Sequence, residues 1–137
     1  MGAYLLDTDH LSYLQERHPN VVNRLARLSP DDQVLTSVIN IGELLRGVYR
    51  LPKGRRQREL LHWYHQAVRR MDAILPVTRA AAEYFAEVDT ALRRKGNPIP
   101  VNDVWVAAVA SVKGAVLVTN DGHFAYVDGL KVENWTL

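Results

Sequence analysis

Four acidic residues stand where their carboxylates could act together. Asp7 and Asp121 each follow a short apolar run, while Glu43 lies about two turns into a predicted helix and Asp103 begins another. If the four converge in a partly desolvated cleft, their repulsion would be costly unless a divalent cation were bound. Oxygen ligands without His or Cys favour Mg²⁺ or Mn²⁺ over zinc. Such a cage suits phosphodiester hydrolysis, in which a metal-activated water attacks the phosphate.

The four acids are expected to have different roles at the metal site. We predict that Asp7 and Asp103 are the main metal ligands and that Asp121 completes the shell or holds a second metal. Glu43 is expected to bind through water or to act as the general base. Thr119 would orient the water or a carboxylate by hydrogen bonding. Each of these residues has an ordinary structural explanation when taken alone, so their joint placement carries the prediction.

The elements that would position these acids follow from hydrophobic periodicity and turn residues. Short apolar runs predict strands at 4–6, 34–36, 73–77, 115–118 and 131–133. Helices are predicted between them, the first with Asp9 as its N-cap and the last beginning at Asp103. This alternation predicts an α/β fold, a three-layer α/β/α sandwich with a mostly parallel central sheet. In such sheets the ligand crevice lies at the carboxyl ends of the strands, where Asp7 and Asp121 are expected.

Length and composition restrict the class of protein. The 137 residues with 47% apolar content fit a single domain over 1–137. Because the sequence has no cysteine, disulfides, thiol nucleophiles and Cys-based zinc sites are excluded. The first residues lack the basic region of a signal peptide, and no apolar run approaches the roughly 20 residues of a membrane span. We therefore expect a soluble, cytoplasmic protein without membrane association.

Basic residues are unevenly distributed along the chain. The formal net charge is only +2, but residues 50–58 contain five Lys or Arg and no acid. A basic stretch can attract a polyanion through phosphate contacts and counterion release, although such runs are often solvated surface. The candidates for contact with the phosphate backbone of such a polyanion are Arg46, Lys53 and Arg55.

Four segments in order resemble the motifs of the PIN-domain nucleases, and more closely those of the VapC toxins of toxin–antitoxin pairs. They read YLLDTD at 4–9, IGELLRG at 41–47, DVWVAA at 103–108 and LVTND at 117–121. The resemblance spans essentially the whole chain, including VENW at 132–135. It implies an Mg²⁺- or Mn²⁺-dependent endoribonuclease that inhibits translation. It also implies a homodimer that a cognate VapB-like antitoxin holds inactive.

Two positions bear on the details of that resemblance. His123 stands where many relatives carry a further acid, two places after the fourth carboxylate, so the role of His123 and the number of metal ions stay open. Trp105 lies beside Asp103 and is expected in the core rather than in a substrate cleft.

Two other functions are compatible with parts of the sequence. Asp7-Thr8-Asp9 after a strand resembles the acid pair of haloacid-dehalogenase-type phosphatases, with Asp7 as the nucleophile. That hypothesis lacks a phosphate-clamping lysine and gives Glu43 no role. The other alternative is a catalytically inactive module that binds nucleic acid or protein.

Thr8 or Asp9 is expected to support Asp7, although Asp9 is better explained as a helix cap. The remaining aspartates are interpreted as surface residues: Asp31, Asp32, Asp72, Asp89 and Asp128.

Overall fold

A computed structural model describes residues 1–137 and contains one five-stranded sheet in which every pairing is parallel. The spatial order is β3-β2-β1-β4-β5. The first strand is therefore central, and the predicted α/β class with a parallel sheet is confirmed. The strands are β1 (Ala3–Leu6), β2 (Gln33–Ser37), β3 (Ala73–Leu75), β4 (Val116–Val118) and β5 (Val132–Glu133).

Six α-helices and one short 3₁₀ helix connect the strands. None of the helices combines the length and the apolar character that crossing a bilayer would require. They are α1 (Thr8–Gln15), α2 (Pro19–Ala26), α3 (Val38–Tyr49), α4 (Arg55–Arg70), α5 (Arg79–Arg94) and α6 (Val101–Lys113), with the 3₁₀ helix at Gly122–Tyr126.

The core lies on both faces of the sheet because successive residues of a strand point to opposite sides. Leu5 and Leu6 are both fully buried, but they belong to different apolar clusters. The Leu5 cluster includes residues of α5 and α6, whereas the Leu6 cluster includes residues of α1 and α2 together with Trp135. The three-layer α/β/α arrangement is confirmed.

Three local predictions were wrong or incomplete. Asp7, not Asp9, is the N-cap of α1, because its extended backbone lets its carboxylate accept from the third amide of the helix, that of His10. Helix α6 begins at Val101 directly after Pro100, so Asp103 lies in its first turn rather than at its start. The 3₁₀ helix after Asp121 was not predicted.

Candidate active site

Carboxylates from four segments of the chain converge on one cleft at the carboxyl ends of the central strands. No Lys or Arg is among the lining residues, so no permanent positive charge balances the acids there. We call this region the acidic cleft. Its acids are Asp7, Asp9, Glu43, Asp103 and Asp121, and Thr8, Asn40, Val106 and Phe124 complete the lining.

Asp7 is fixed where β1 passes into α1. Its backbone N–H donates to Val118 O of the neighbouring strand at 3.1 Å. One carboxylate oxygen, Oδ1, accepts from the backbone N–H of His10 at 2.8 Å and lies 3.1 Å from Nδ1 of the same histidine. With 8% of its surface exposed, Asp7 is the most buried of the cleft acids. The backbone of Asp7 is therefore fixed by β4 and its side chain by His10.

Glu43 is held by a chain of polar contacts that starts at the beginning of α3. Ser37 caps this helix and donates through Oγ to Asn40 Oδ1 at 2.6 Å. The amide of Asn40 in turn donates to Thr8 Oγ1 at 3.3 Å, and this hydroxyl donates to Glu43 Oε1 at 3.0 Å. Thr8 thus supports Glu43 rather than Asp7, because its side chain reaches across to α3.

Asp103 and Asp121 meet around His123. Asp121 caps the 3₁₀ helix by accepting from the backbone N–H of His123 at 2.9 Å. The ring Nδ1 of that histidine lies 3.1 Å from Asp121 Oδ1 and 3.4 Å from Asp103 Oδ2. These three side chains can each present one ligand atom with all three atoms within 4.8 Å of one another. His123 therefore belongs to the same group of possible metal ligands as Asp103 and Asp121.

Repulsion within the acidic cleft contributes to raised pKa values at two carboxyl groups. Burial and the charge of Asp121 raise the pKa of Asp103, with Glu43 adding to the effect, although the contact to His123 opposes it. Partial burial of its carboxyl group and the charge of Asp7 raise the pKa of Asp9, even though Asp9 as a residue is exposed. The cleft therefore disfavours the ionised state of Asp103 and Asp9.

The donor set of the acidic cleft fits a hard divalent cation. Carboxylate oxygens are the ligands that Mg²⁺ and Mn²⁺ prefer, and a positive charge among them would relieve the repulsion that raises these pKa values. A single imidazole nitrogen, from His123, is also within reach of two acids. The same residues offer no lysine to clamp a phosphate, which the phosphatase hypothesis requires.

The other predicted site residues lie outside the cleft lining. Thr119 is buried, and its hydroxyl accepts from the backbone N–H of Asp121 at 3.0 Å, so it contacts the segment that carries an acid. Arg46 and Lys53 are exposed, and exposed Arg55 pairs with Glu59 of its own helix at 2.9 Å.

Trp105 is partly buried and does not line the acidic cleft. Its ring stacks on that of Phe85, with the ring centroids 3.9 Å apart and an interplanar angle of 16°. The ring thus packs between α5 and α6 but outside both buried clusters, so the predicted core position was only partly right.

Sequence reasoning missed His10. This residue is fully buried, and its ring contacts Asp7 on one side and the backbone of Trp135 on the other. A polar residue amid the apolar positions of α1 was the only available signal. The sequence held no indication of which chain segment would meet its second nitrogen.

Sequence comparisons relate the chain to a protein family and to named members of it. The PIN domain family model matches residues 4–130. Ribonuclease VapC1 of Haemophilus influenzae is 30% identical over 142 residues, covering 97% of this chain and 98% of the relative. The tRNA(fMet)-specific endonuclease VapC of Shigella flexneri is 27% identical, with coverages of 99% and 100%.

A solved structure is similar over the same extent. The crystal structure of VapBC2 from Rickettsia felis, bound to a DNA fragment from their promoter, contains a chain that matches with a TM-score of 0.84. The two chains are 30% identical, and the match covers 97% of this chain and 98% of that one. Together with the missing lysine, these matches leave the phosphatase hypothesis without support. The chain belongs to the PIN-domain family, within the group of the VapC ribonucleases.

Proposed function

We propose that this chain is a metal-dependent endoribonuclease that cuts RNA in the acidic cleft and serves as the toxin of a toxin–antitoxin pair. The observation that carries the proposal is the convergence of five carboxylates without a lining Lys or Arg, in a chain that belongs to a family of ribonucleases. The endonucleolytic mode is supported by the VapC relative whose name describes such an activity.

Mg²⁺ or Mn²⁺ is the proposed cofactor, and four acids would hold it: Asp7, Glu43, Asp103 and Asp121. When bound, such a cation lowers the pKa of the attacking water and stabilises the negative charge that develops on the phosphate. His123 Nδ1 lies 3.1 Å from Asp121 Oδ1 and could supply a nitrogen ligand at that end of the cleft. The histidine beside Asp7, His10, is fully buried and could not.

The chain's own groups position and move protons around that centre. Glu43 Oε1 is held by the Thr8 hydroxyl, which leaves Oε2 free to accept a proton from water or to contact the cation through a water. Thr119 holds the backbone at Asp121 and so orients its carboxylate. Asp103, whose pKa is raised, would benefit from a nearby positive charge because its ionised form is otherwise disfavoured.

Basic residues outside the cleft would bind the RNA backbone. We assign this role to Arg46, Lys53 and Arg55, all of which are exposed. Phosphate contacts of this kind contribute affinity without sequence preference. They would guide an anionic substrate to a cleft whose own acids repel it until a cation is bound.

The regulatory part of the proposal follows from family membership. We propose that the chain inhibits translation in the cytoplasm, forms a homodimer and is held inactive by a VapB-like antitoxin. The support is the solved VapBC2 structure, in which a similar chain occurs in a complex bound to promoter DNA. A small neighbouring gene for a DNA-binding protein would be the expected genetic context.

An RNA cleavage assay tests the enzymatic proposal. Wild-type protein should cleave RNA with Mg²⁺ or Mn²⁺ and lose this activity in EDTA, and Asp103→Asn should be inactive with either ion. Asp31→Asn is the matched control, because Asp31 is an exposed acid remote from the acidic cleft. RNA binding without cleavage under any of these conditions would instead support the inactive binding module.

A further inference from the structure

His10 is a buried polar residue that the proposed chemistry does not use directly. Its side chain has no solvent exposure, and it packs edge-on against the rings of Tyr13 and Trp135. Both ring nitrogens nevertheless have partners. Nδ1 lies 3.1 Å from Asp7 Oδ1, and Nε2 accepts the backbone N–H of Trp135 at 3.2 Å.

The second contact determines which nitrogen carries the proton. A backbone N–H can only donate, so Nε2 must present its lone pair to Trp135. The ring proton then resides on Nδ1, which donates it to Asp7 Oδ1. Trp135 is itself fixed, because it is buried and its indole N–H donates to Glu133 Oε1 at 3.0 Å. The segment after β5 therefore sets the orientation of the histidine.

The consequence for Asp7 concerns its two carboxylate oxygens. Oδ1 receives two donors from His10, the backbone N–H at 2.8 Å and the ring N–H. Oδ2 accepts no hydrogen bond from the protein. The carboxylate is thus held by one oxygen and offers the other to the acidic cleft.

We propose that His10 is a positioning residue for Asp7, and that Trp135 holds His10 in the tautomer that this task requires. The inference rests on the proposed function, since Asp7 is positioned for the cation that the cleft would bind. Groups that orient a metal ligand from behind typically change metal affinity about 10- to 100-fold when they are replaced.

Two substitutions separate this role from simple packing. In His10→Asn the amide nitrogen can replace Nδ1 and keep the contact to Asp7, while the contact to Trp135 is lost. In His10→Gln the longer side chain can replace Nε2 and keep the contact to Trp135, while Asp7 loses its ring donor. Both variants introduce an amide in the same buried place, so a packing defect should affect them similarly.

Calorimetric titration with Mn²⁺ alone is the decisive measurement, because it requires no turnover. His10→Gln should bind Mn²⁺ roughly 10- to 100-fold more weakly than wild type, whereas His10→Asn should remain within a few-fold of it. Val21→Ala is the control, since it truncates a fully buried side chain in the apolar cluster of Leu6 and Trp135, and Val21 does not line the acidic cleft. It should leave the Mn²⁺ affinity unchanged. Equal affinity of wild type and His10→Gln would overturn the positioning role.

A spectroscopic measurement on the wild-type chain keeps the inference testable if a variant fails to fold. With ¹⁵N-labelled histidine, NMR should show His10 protonated at Nδ1 and unprotonated at Nε2, and the opposite pattern would overturn it. Failure of the proposed function would give a different experimental result. It would leave RNA uncut by wild type while the two His10 variants still differed in Mn²⁺ affinity.

Discussion

Acidic side chains at the two ends of the sheet differ in whether other acids surround them. At the amino ends, Asp32 accepts from the backbone N–H groups of Gly2 at 2.7 Å and Ser29 at 2.9 Å. Asp72, which precedes β3, accepts from Val34 N–H at 2.7 Å. At the carboxyl ends the acids of the cleft face one another. Asp32 and Asp72 therefore meet backbone donors, whereas the cleft acids lie near one another even where, as at Asp7 and Asp121, they also accept a backbone N–H.

The pKa values reflect this difference. Hydrogen bonds from Ser29 and Gly2 hold the pKa of Asp32 below its ordinary value, so ionised Asp32 favours the folded state. Burial and Asp121 raise the pKa of Asp103, so ionised Asp103 disfavours folding. Asp32 therefore contributes to the stability of the fold, whereas ionised Asp103 reduces that stability and calls for a functional explanation.

The largest effect is expected from Asp103→Asn, which removes a charge but keeps the shape of the side chain. RNA cleavage should fall by more than about 100-fold, because even partners behind a ligand cost about 10- to 100-fold. In EDTA at neutral pH the melting temperature should rise, since the variant removes repulsion. Cleavage of labelled RNA and thermal unfolding measure the two outcomes. A lower melting temperature would contradict the contrast between the two ends.

A divalent cation should stabilise the chain through the carboxyl end of the sheet alone. A ligand at 100 times its dissociation constant adds about 2.7 kcal/mol to the free energy of unfolding when it binds only the folded state. Thermal unfolding with Mn²⁺ and with EDTA measures this gain. Asp32→Asn should retain it in full and Asp103→Asn should lose most of it. A gain of equal size in both variants would place the cation elsewhere.

The strands and the acids at their carboxyl ends could be predicted from the sequence. Apolar runs that end at Asp7 and Asp121 predicted the parallel strands and their carboxyl-end acids, because strand period and chain direction fix which residues reach that edge. The supporting contacts were not predictable. Thr8 and Glu43 are 35 residues apart, and only tertiary packing decides that they meet.

The acids at the amino ends of the strands show the same limit on what the sequence can predict. Asp32 and Asp72 were interpreted as surface acids on residue type and turn context. Exposed Asp72 agrees with that interpretation, but Asp32 is partly buried and accepts from residue 2, which lies 30 positions away. Composition cannot distinguish an acid that has found backbone donors from one that has only solvent.

The two ends should respond to pH with opposite signs. The folded pKa of Asp32 is lowered, so its stabilisation is present above the ordinary value of 3.8 and is lost as the pH falls through the folded pKa. The folded pKa of Asp103 is raised, so its cost is present at neutral pH and is relieved as the pH falls toward 3.8.

Urea unfolding in EDTA at several pH values tests these signs. Relative to wild type, Asp32→Asn should be less stable at pH 7 and should lose less stability on acidification below the ordinary pKa. Asp103→Asn should be more stable at pH 7, with a gain that shrinks as the pH falls toward 3.8. Parallel pH profiles for the two variants would remove the electrostatic basis of the comparison.

The smallest effect is expected at Asp72, where the acceptor should matter more than the charge. Asp72→Ala leaves Val34 N–H without its side-chain partner and should lower the free energy of unfolding by at most about 1 kcal/mol, because water can replace an exposed acceptor. Asp72→Asn keeps an amide oxygen in place and should restore most of that loss. Cleavage should be unchanged in both variants, because Asp72 does not line the acidic cleft. If only the charged residue stabilised the chain, the amino-end acids would act through long-range electrostatics rather than through direct hydrogen bonds.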